Sequence, residues 1–140
     1  MTDEPLLAKR LAFIESCVAD LRRLARLDLI DHDVREERFV EHTLQLAIQA
    51  ALDTASHIVS EERLGEPATN ADLFRLLVGG GWLDAAQLPA LRAMVGFRNV
   101  LVHGYTEVDR AIVRDVVERH LGDLLAVVDA VRARLTRRGS

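Results

Sequence analysis

Apolar residues recur every three or four positions along most of the chain, a spacing that predicts helices and not strands. Leu7, Leu11, Ile14, Val18, Leu21 and Ala25 form one such seam, of the kind a helix presents when it packs lengthwise on others. That first helix is expected from near Pro5, a residue suited to a first turn, to about Leu29. Asp31-His32-Asp33 breaks it, and Asp33 followed by Glu36 predicts a capping box at the head of a second helix. Val40, Leu44, Ala47, Ala51, Ala55 and Ile58 form its seam, with an end expected near Gly65. Its many alanines permit close approach, so it is the natural centre of a bundle.

A short third helix is predicted from about Asn70 to Val78, ending in Gly79-Gly80-Gly81. These glycines are not a phosphate loop, because no Lys-Ser/Thr follows and no strand pattern precedes. They predict a turn between helices, which Trp82 would plug. A single turn over Asp84 to Gln87 and a restart at Pro89 give a fourth helix. The last helix is expected from Thr106 or Asp109 to about Arg137, with Val117, Leu121, Leu124, Val128, Val131 and Leu135 as its seam. Gly122 inside it is expected to mark a tight helix contact, since glycine there costs about 1 kcal/mol relative to alanine. The architecture predicted is all-α: an up-and-down bundle of four long helices plus a short one, residues 1–140 forming a single domain.

The stretch from Arg98 to Tyr105 breaks the fourth helix's pattern. Arg98, Asn99 and His103 interrupt an otherwise apolar run from Met94 to Val102, and buried polar groups without partners are costly. Asn99 and His103 stand one turn apart, whereas Arg98 lies about 140° around the axis from His103. Gly104 reads as the residue just past the helix end, so His103 occupies the last turn beside unpaired carbonyls. A guanidinium, an imidazole and a phenol so close together suit phosphate chemistry. The plainer alternative is that Arg98 and His103 cap carbonyls or pair with Glu107 or Asp109.

Composition narrows the choice. With 140 residues, 49% hydrophobic and 29% charged, the chain has the make-up of a globular protein able to bury its own core. Cys17 is the only cysteine, which leaves no disulfide framework or thiolate metal cluster and makes it a small core residue. Thr2-Asp3-Glu4-Pro5 is acidic where a secretory leader would be basic, and charges punctuate every segment, so a cytoplasmic protein without membrane spans is expected. A net charge of -4 argues against an unselective polyanion binder. Arg22, Arg23 and Arg26, or Arg132, Arg134, Arg137 and Arg138, would guide RNA if they bordered a cleft; otherwise they are solvated faces or dipole partners. Glu36, Glu37, Glu41, Glu61 and Glu62 would suit a basic partner. The scarcity of aromatics argues against reading splayed bases by stacking. His32, His42, His57 and His120 lack metal-ligand spacing, so neither a metal nor an organic cofactor is expected.

The Arg98, His103, Tyr105 pattern, an Arg followed by four residues, His, one residue and Tyr, resembles the signature of the HepT family of HEPN-domain proteins. Gln45 through Glu61 (QLAIQAALDTASHIVSE) is also similar to that family's second helix, and the likeness runs from the first helix to the last. It implies an all-α homodimer with the Arg-His motifs of two subunits around a shared cleft. It further implies a metal-independent endoribonuclease toxin, paired with an MntA-like nucleotidyltransferase antitoxin that attaches AMP to the motif tyrosine. Position by position, Arg98 and His103 would be the catalytic pair, Asn99 a supporting residue and Tyr105 the AMP acceptor.

The chemistry of these side chains agrees with that expectation. Metal-free RNA cleavage needs the 2′-hydroxyl deprotonated, the leaving oxygen protonated and the phosphorane charge stabilised. Two copies of His103 across a twofold axis can divide the proton transfers, and the place of His103 at the helix end suits it mainly to the general-acid role. Arg98 can grip phosphate through two parallel hydrogen bonds, and Asn99 would orient His103 or touch the phosphate. Two other classes remain open at this level. One is a catalytically silent interaction module that serves as partner or substrate of a nucleotidyltransferase; the other is a domain that binds a nucleotide phosphate through Arg98.

Overall fold

A computed structural model describes residues 3–103 and 108–139. Gly104, Tyr105, Thr106 and Glu107 lie outside the described residues, so the expectations placed on them are not addressed by the fold.

Helix α1 spans Glu4–Leu24. Asp3 caps it by accepting from the Leu6 N–H, and Pro5 sits in the first turn, where its missing N–H costs nothing. The helix stops earlier than the seam suggests. Ala25 turns extended, and Leu27–Leu29 form a separate 3-10 turn that tucks Ile30 into the core. Helix α2 spans Val34–Glu61 with Asp33 at its cap, accepting from the Arg35 N–H. No capping box closes here. The Asp33 N–H that Glu36 would have bonded is already given to the Leu29 carbonyl at 2.9 Å, and the Glu36 carboxylate accepts from the Arg26 N–H instead. Helix α2 ends four residues short of Gly65, where Arg63 enters the left-handed region (φ 52°) and Gly65 follows at φ 138°.

Helix α3 spans Asn70–Gly79, and Gly81 at φ 81° supplies the turn that a side chain would resist. Trp82 plugs that turn as expected: it is buried, its N–H donates to the Leu77 carbonyl, and the guanidinium groups of Arg134 and Arg138 lie over its ring. Asp84 and Gln87 close a capping box over the 3-10 turn Ala85–Gln87, which runs directly into α4, Leu88–His103.

The last helix is not uniform. Asp109 caps α5 (Arg110–Asp115), a π-helical turn follows over Val116–His120, and α6 completes it over Leu121–Gly139. The π turn stretches the seam, so that buried Val113 and Val116 are followed by Leu121 and Leu124. Val117 therefore sits only partly buried beside the core. Gly122 is a second correction. Nothing lies within 4 Å of where its Cβ would be, so it marks no tight contact.

The expected centre of the bundle is where the sequence places it. Helix α2 packs against α1, α3, α4 and α6, with Ala47, Ala51 and Ala55 buried at those contacts. Burying side chains of the size of Leu7, Leu11, Ile14, Leu44, Ile58 and Phe74 stabilises the fold by roughly 1.5–3 kcal/mol each. The architecture is the all-α, up-and-down helical bundle predicted, and no described residue lies in a strand. Among the described residues no helix is long and apolar enough to cross a membrane.

Candidate active site

The register of α4 explains why its polar residues are divided. Leu91, Met94 and Val95 face the core, and Arg98 lies on that same stripe, one turn beyond Met94. Arg98 is therefore half-buried against α2, while Asn99 and His103 point outward and are exposed. His103 is the final residue of α4, five residues and about 7.5 Å of helix rise beyond Arg98.

Partners on α2 hold the Arg98 fork. Its Nη2 donates to Gln49 Oε1 at 2.5 Å, and its Nη1 donates to Asn99 Oδ1 at 3.3 Å. Gln49 is oriented in turn, since its Nε2 donates to Asp53 Oδ1 at 2.9 Å. From α1, Arg10 Nη1 donates to the Asp53 carbonyl at 3.1 Å. Both acceptors on Arg98 are neutral amide oxygens, so the cation is positioned without being neutralised. Its Nε is buried with no hydrogen-bond partner, and such an orphan donor is costly unless something else meets it.

For Arg98 these contacts bear on the plainer reading as far as Asp109, since Glu107 lies outside the described residues. The guanidinium pairs with no carboxylate among the described residues, and Asp109 is occupied in capping α5. Asn99 serves Arg98, and no hydrogen bond joins it to His103. Arg98, Asn99 and His103 share the C-terminal end of α4, Arg98 on its core-facing stripe and the other two facing solvent, and Tyr105 lies outside the described residues.

Sequence reasoning missed the α2 side of this arrangement. Gln49 and Asp53 stand one turn apart inside the Gln45–Glu61 stretch, and two polar side chains facing inward on an alanine-rich helix were the available signal. It also missed what fastens α5. Glu37 Oε2 accepts from both Nε and Nη2 of Arg110, at 3.3 and 3.2 Å. Glu41, one turn along α2, is pushed up to about 7 by burial first and then by the Glu37 carboxylate, with Arg110 opposing. Helix α2 thus grips the chain on both sides of residues 104–107, through Gln49 to α4 and through Glu37 to α5.

The arginine clusters largely serve the bundle. Arg132 grips both Glu15 oxygens, at 2.8 and 2.5 Å, which holds the Glu15 carboxyl below its usual range. Arg138 pairs with Glu62, and Arg134 donates to the Gly81 carbonyl. Arg23 and Arg26 pair with neighbouring aspartates in solvent. His120 sits between Asp115 and Asp123, and His57 accepts the Asp3 N–H. Burial, then the nearby Asp20 charge, pushes the Cys17 thiol up. Among the described residues no three His, Cys, Asp or Glu side chains gather as a metal site.

Several known proteins are similar to this chain. The family model described as "Ribonuclease HepT-like" matches residues 14–131. The mRNA nuclease HepT of Shewanella oneidensis is 30% identical over 129 residues, covering 91% of this chain and 97% of that protein. The tRNA nuclease HepT of Aphanizomenon flos-aquae is 30% identical over 109 residues, covering 76% and 74% respectively. The solved structure of a tri-AMPylated Shewanella oneidensis HEPN toxin, in complex with its MNT antitoxin, superposes with a TM-score of 0.85 at 30% identity. That match covers 95% of this chain and 99% of the toxin.

Proposed function

This chain belongs to the HepT-like ribonuclease family, and from that premise we propose that it is a metal-independent endoribonuclease toxin whose catalytic pair is Arg98 and His103. The observation that carries this assignment is the Arg98 fork, which is oriented by two amide oxygens, half-buried and paired with no carboxylate among the described residues. Such a group is made for an anion that arrives from outside. On the same helix, exposed His103 is placed to exchange protons with solvent and substrate.

In this reading Arg98 binds a non-bridging phosphate oxygen and stabilises the charge that grows on the phosphorane. His103 protonates the departing 5′-oxygen as general acid. Asn99 supports the reaction by fixing one arm of the Arg98 fork. A second copy of the chain, related by a twofold axis, would supply the His103 that removes the 2′-hydroxyl proton. The family match over 14–131 supports reading residues 1–140 as one HEPN-like domain.

The partner is a nucleotidyltransferase antitoxin of the MntA type, and Tyr105 is the residue that accepts AMP. Two observations support this: the Shewanella oneidensis toxin captured with an antitoxin is AMPylated, and Tyr105 is the only tyrosine in the chain. The site of action is the cytoplasm, which a buried lone cysteine suits.

Single-turnover cleavage of RNA tests the catalytic assignment. Arg98→Ala and His103→Ala should each slow cleavage by roughly 100-fold or more while keeping the parental helical circular dichroism at the assay temperature. Cleavage at the parental rate by either variant defeats the assignment. Co-expression with the antitoxin tests the modification. Intact mass should rise by one or more AMP units, and Tyr105→Phe should abolish the increase.

A further inference from the structure

Beside Arg98, on the other side of Gln49, a trough of about 280 Å³ opens between α1 and α2. We propose that this trough is a nucleobase subsite, taking one base of the RNA next to the phosphate that Arg98 holds; this inference rests on the ribonuclease reading. Phe13, Leu46, Gln49, Asp53, Lys9 and Arg10 line it.

The aromatic side chain comes first. Few aromatics occur in this chain, which argued against base stacking at the level of sequence, yet Phe13 is 44% exposed. It stands off the buried α1 seam with its ring at the trough, where Leu46, 38% exposed, adds apolar surface. A flat apolar ring held open to solvent beside an apolar wall is a platform on which a base can stack.

Charge supplies the second argument. Lys9 and Arg10 stand at the trough, and neither pairs with a carboxylate among the described residues. Arg10 makes its hydrogen bond to a backbone carbonyl, that of Asp53, so its positive charge stays available to a neighbouring phosphate. The same charges disfavour a second copy of this chain as occupant. A twofold contact through the trough would bring Lys9 and Arg10, which outnumber the single carboxylate of Asp53 there, against their own copies.

Connectivity supplies the third. Gln49 gives its carbonyl oxygen to Arg98 and its amide nitrogen to Asp53, so one side chain forms the partition between the proposed phosphate and base positions. Asp53 Oδ1 accepts from Gln49, and a carboxylate retains further acceptor capacity. An acceptor here favours a base with an exocyclic amine, such as adenine or cytosine, over uracil.

The test uses the full chain carrying His103→Ala, so that RNA is bound and not consumed, with fluorescence anisotropy of labelled oligoadenylate and oligouridylate. Phe13→Ala should weaken oligoadenylate binding by roughly 5- to 150-fold, and Phe13→Trp should retain it. Asp53→Asn, which keeps an oxygen for Gln49, should narrow the preference for oligoadenylate. Unchanged binding in Phe13→Ala overturns the subsite. So does a fall in its assembly size by sedimentation, because the trough would then be a contact between copies. Arg98→Ala separates the two levels: if it loses RNA while Phe13→Ala does not, the subsite alone falls. Cleavage at the parental rate by Arg98→Ala in an otherwise unaltered chain removes the ribonuclease reading beneath it.

Discussion

Arg98 and Gln49 stand 49 residues apart in the chain, yet the guanidinium Nη2 of one lies 2.5 Å from the amide Oε1 of the other. That contact joins α4 to α2 at the point where the proposed chemistry occurs. It orients a cation with a neutral partner, and this distinction can be tested. Gln49→Leu removes the acceptor and should lower the cleavage rate by roughly 10-fold or more, with a loss of about 1.5–3 kcal/mol in stability for a bond to a charged group. Gln49→Glu should separate the two effects. It keeps Arg98 in place through an ion pair but competes with phosphate, so melting should hold while RNA affinity falls. Denaturant melts alongside RNA titrations provide the measurement.

Arg98→Lys should be as inactive as Arg98→Ala to within about 10-fold. A single ammonium cannot reach the Gln49 and Asn99 oxygens and also present a planar fork to phosphate. Parental kcat in Arg98→Lys would show that only a point charge is needed there.

Glu41 makes stability depend on pH. Its carboxyl titrates near 4.5 when unfolded and at about 7 in the fold, raised first by burial and then by Glu37. The folded state therefore binds the extra proton between those values, and the contribution of Glu41 to stability falls as pH rises through that window. Glu41→Gln should match the parent at about pH 5 and exceed it at about pH 8 by on the order of 1 kcal/mol, or about 3 °C in Tm. Equal Tm differences at both pH values would contradict this. Glu37 and Arg110 remain paired in the variant, so the start of α5 should stay attached to α2.

Gly122→Ala should stabilise the protein by about 0.5–1 kcal/mol, because glycine in a helix leaves the unfolded chain extra freedom and no neighbour occupies the space for a Cβ. Thermal melts at a fixed pH check it. A destabilised variant would mean that the π turn beside Gly122 needs glycine.

Much of the fold was legible because helix seams and caps are local. Leu7, Leu11, Ile14, Val18 and Leu21 are buried as their spacing requires, and so are Val40, Leu44, Ala47, Ala51, Ala55 and Ile58. The Asp33 cap was legible for the same reason. Its box was not, because the Asp33 N–H had been taken by Leu29 and the Glu36 carboxylate by Arg26, a choice made only once the loop folds back. The π turn was equally invisible, since one extra residue in a helical turn leaves the apolar pattern nearly unchanged.

By itself the sequence determined the helices, their buried stripes, and the placing of Arg98, Asn99 and His103 at the C-terminal end of one helix, because each follows from the 3.6-residue repeat and from neighbours a turn away. Tertiary structure alone decided that Gln49 and Asp53 steer Arg98, that the Arg98 charge is left unneutralised, that Glu41 keeps its proton near neutrality, and that Phe13 faces an open trough. Those outcomes depend on which faces of distant helices meet and how much water the meeting excludes. Spacing along one strand of sequence carries no record of either.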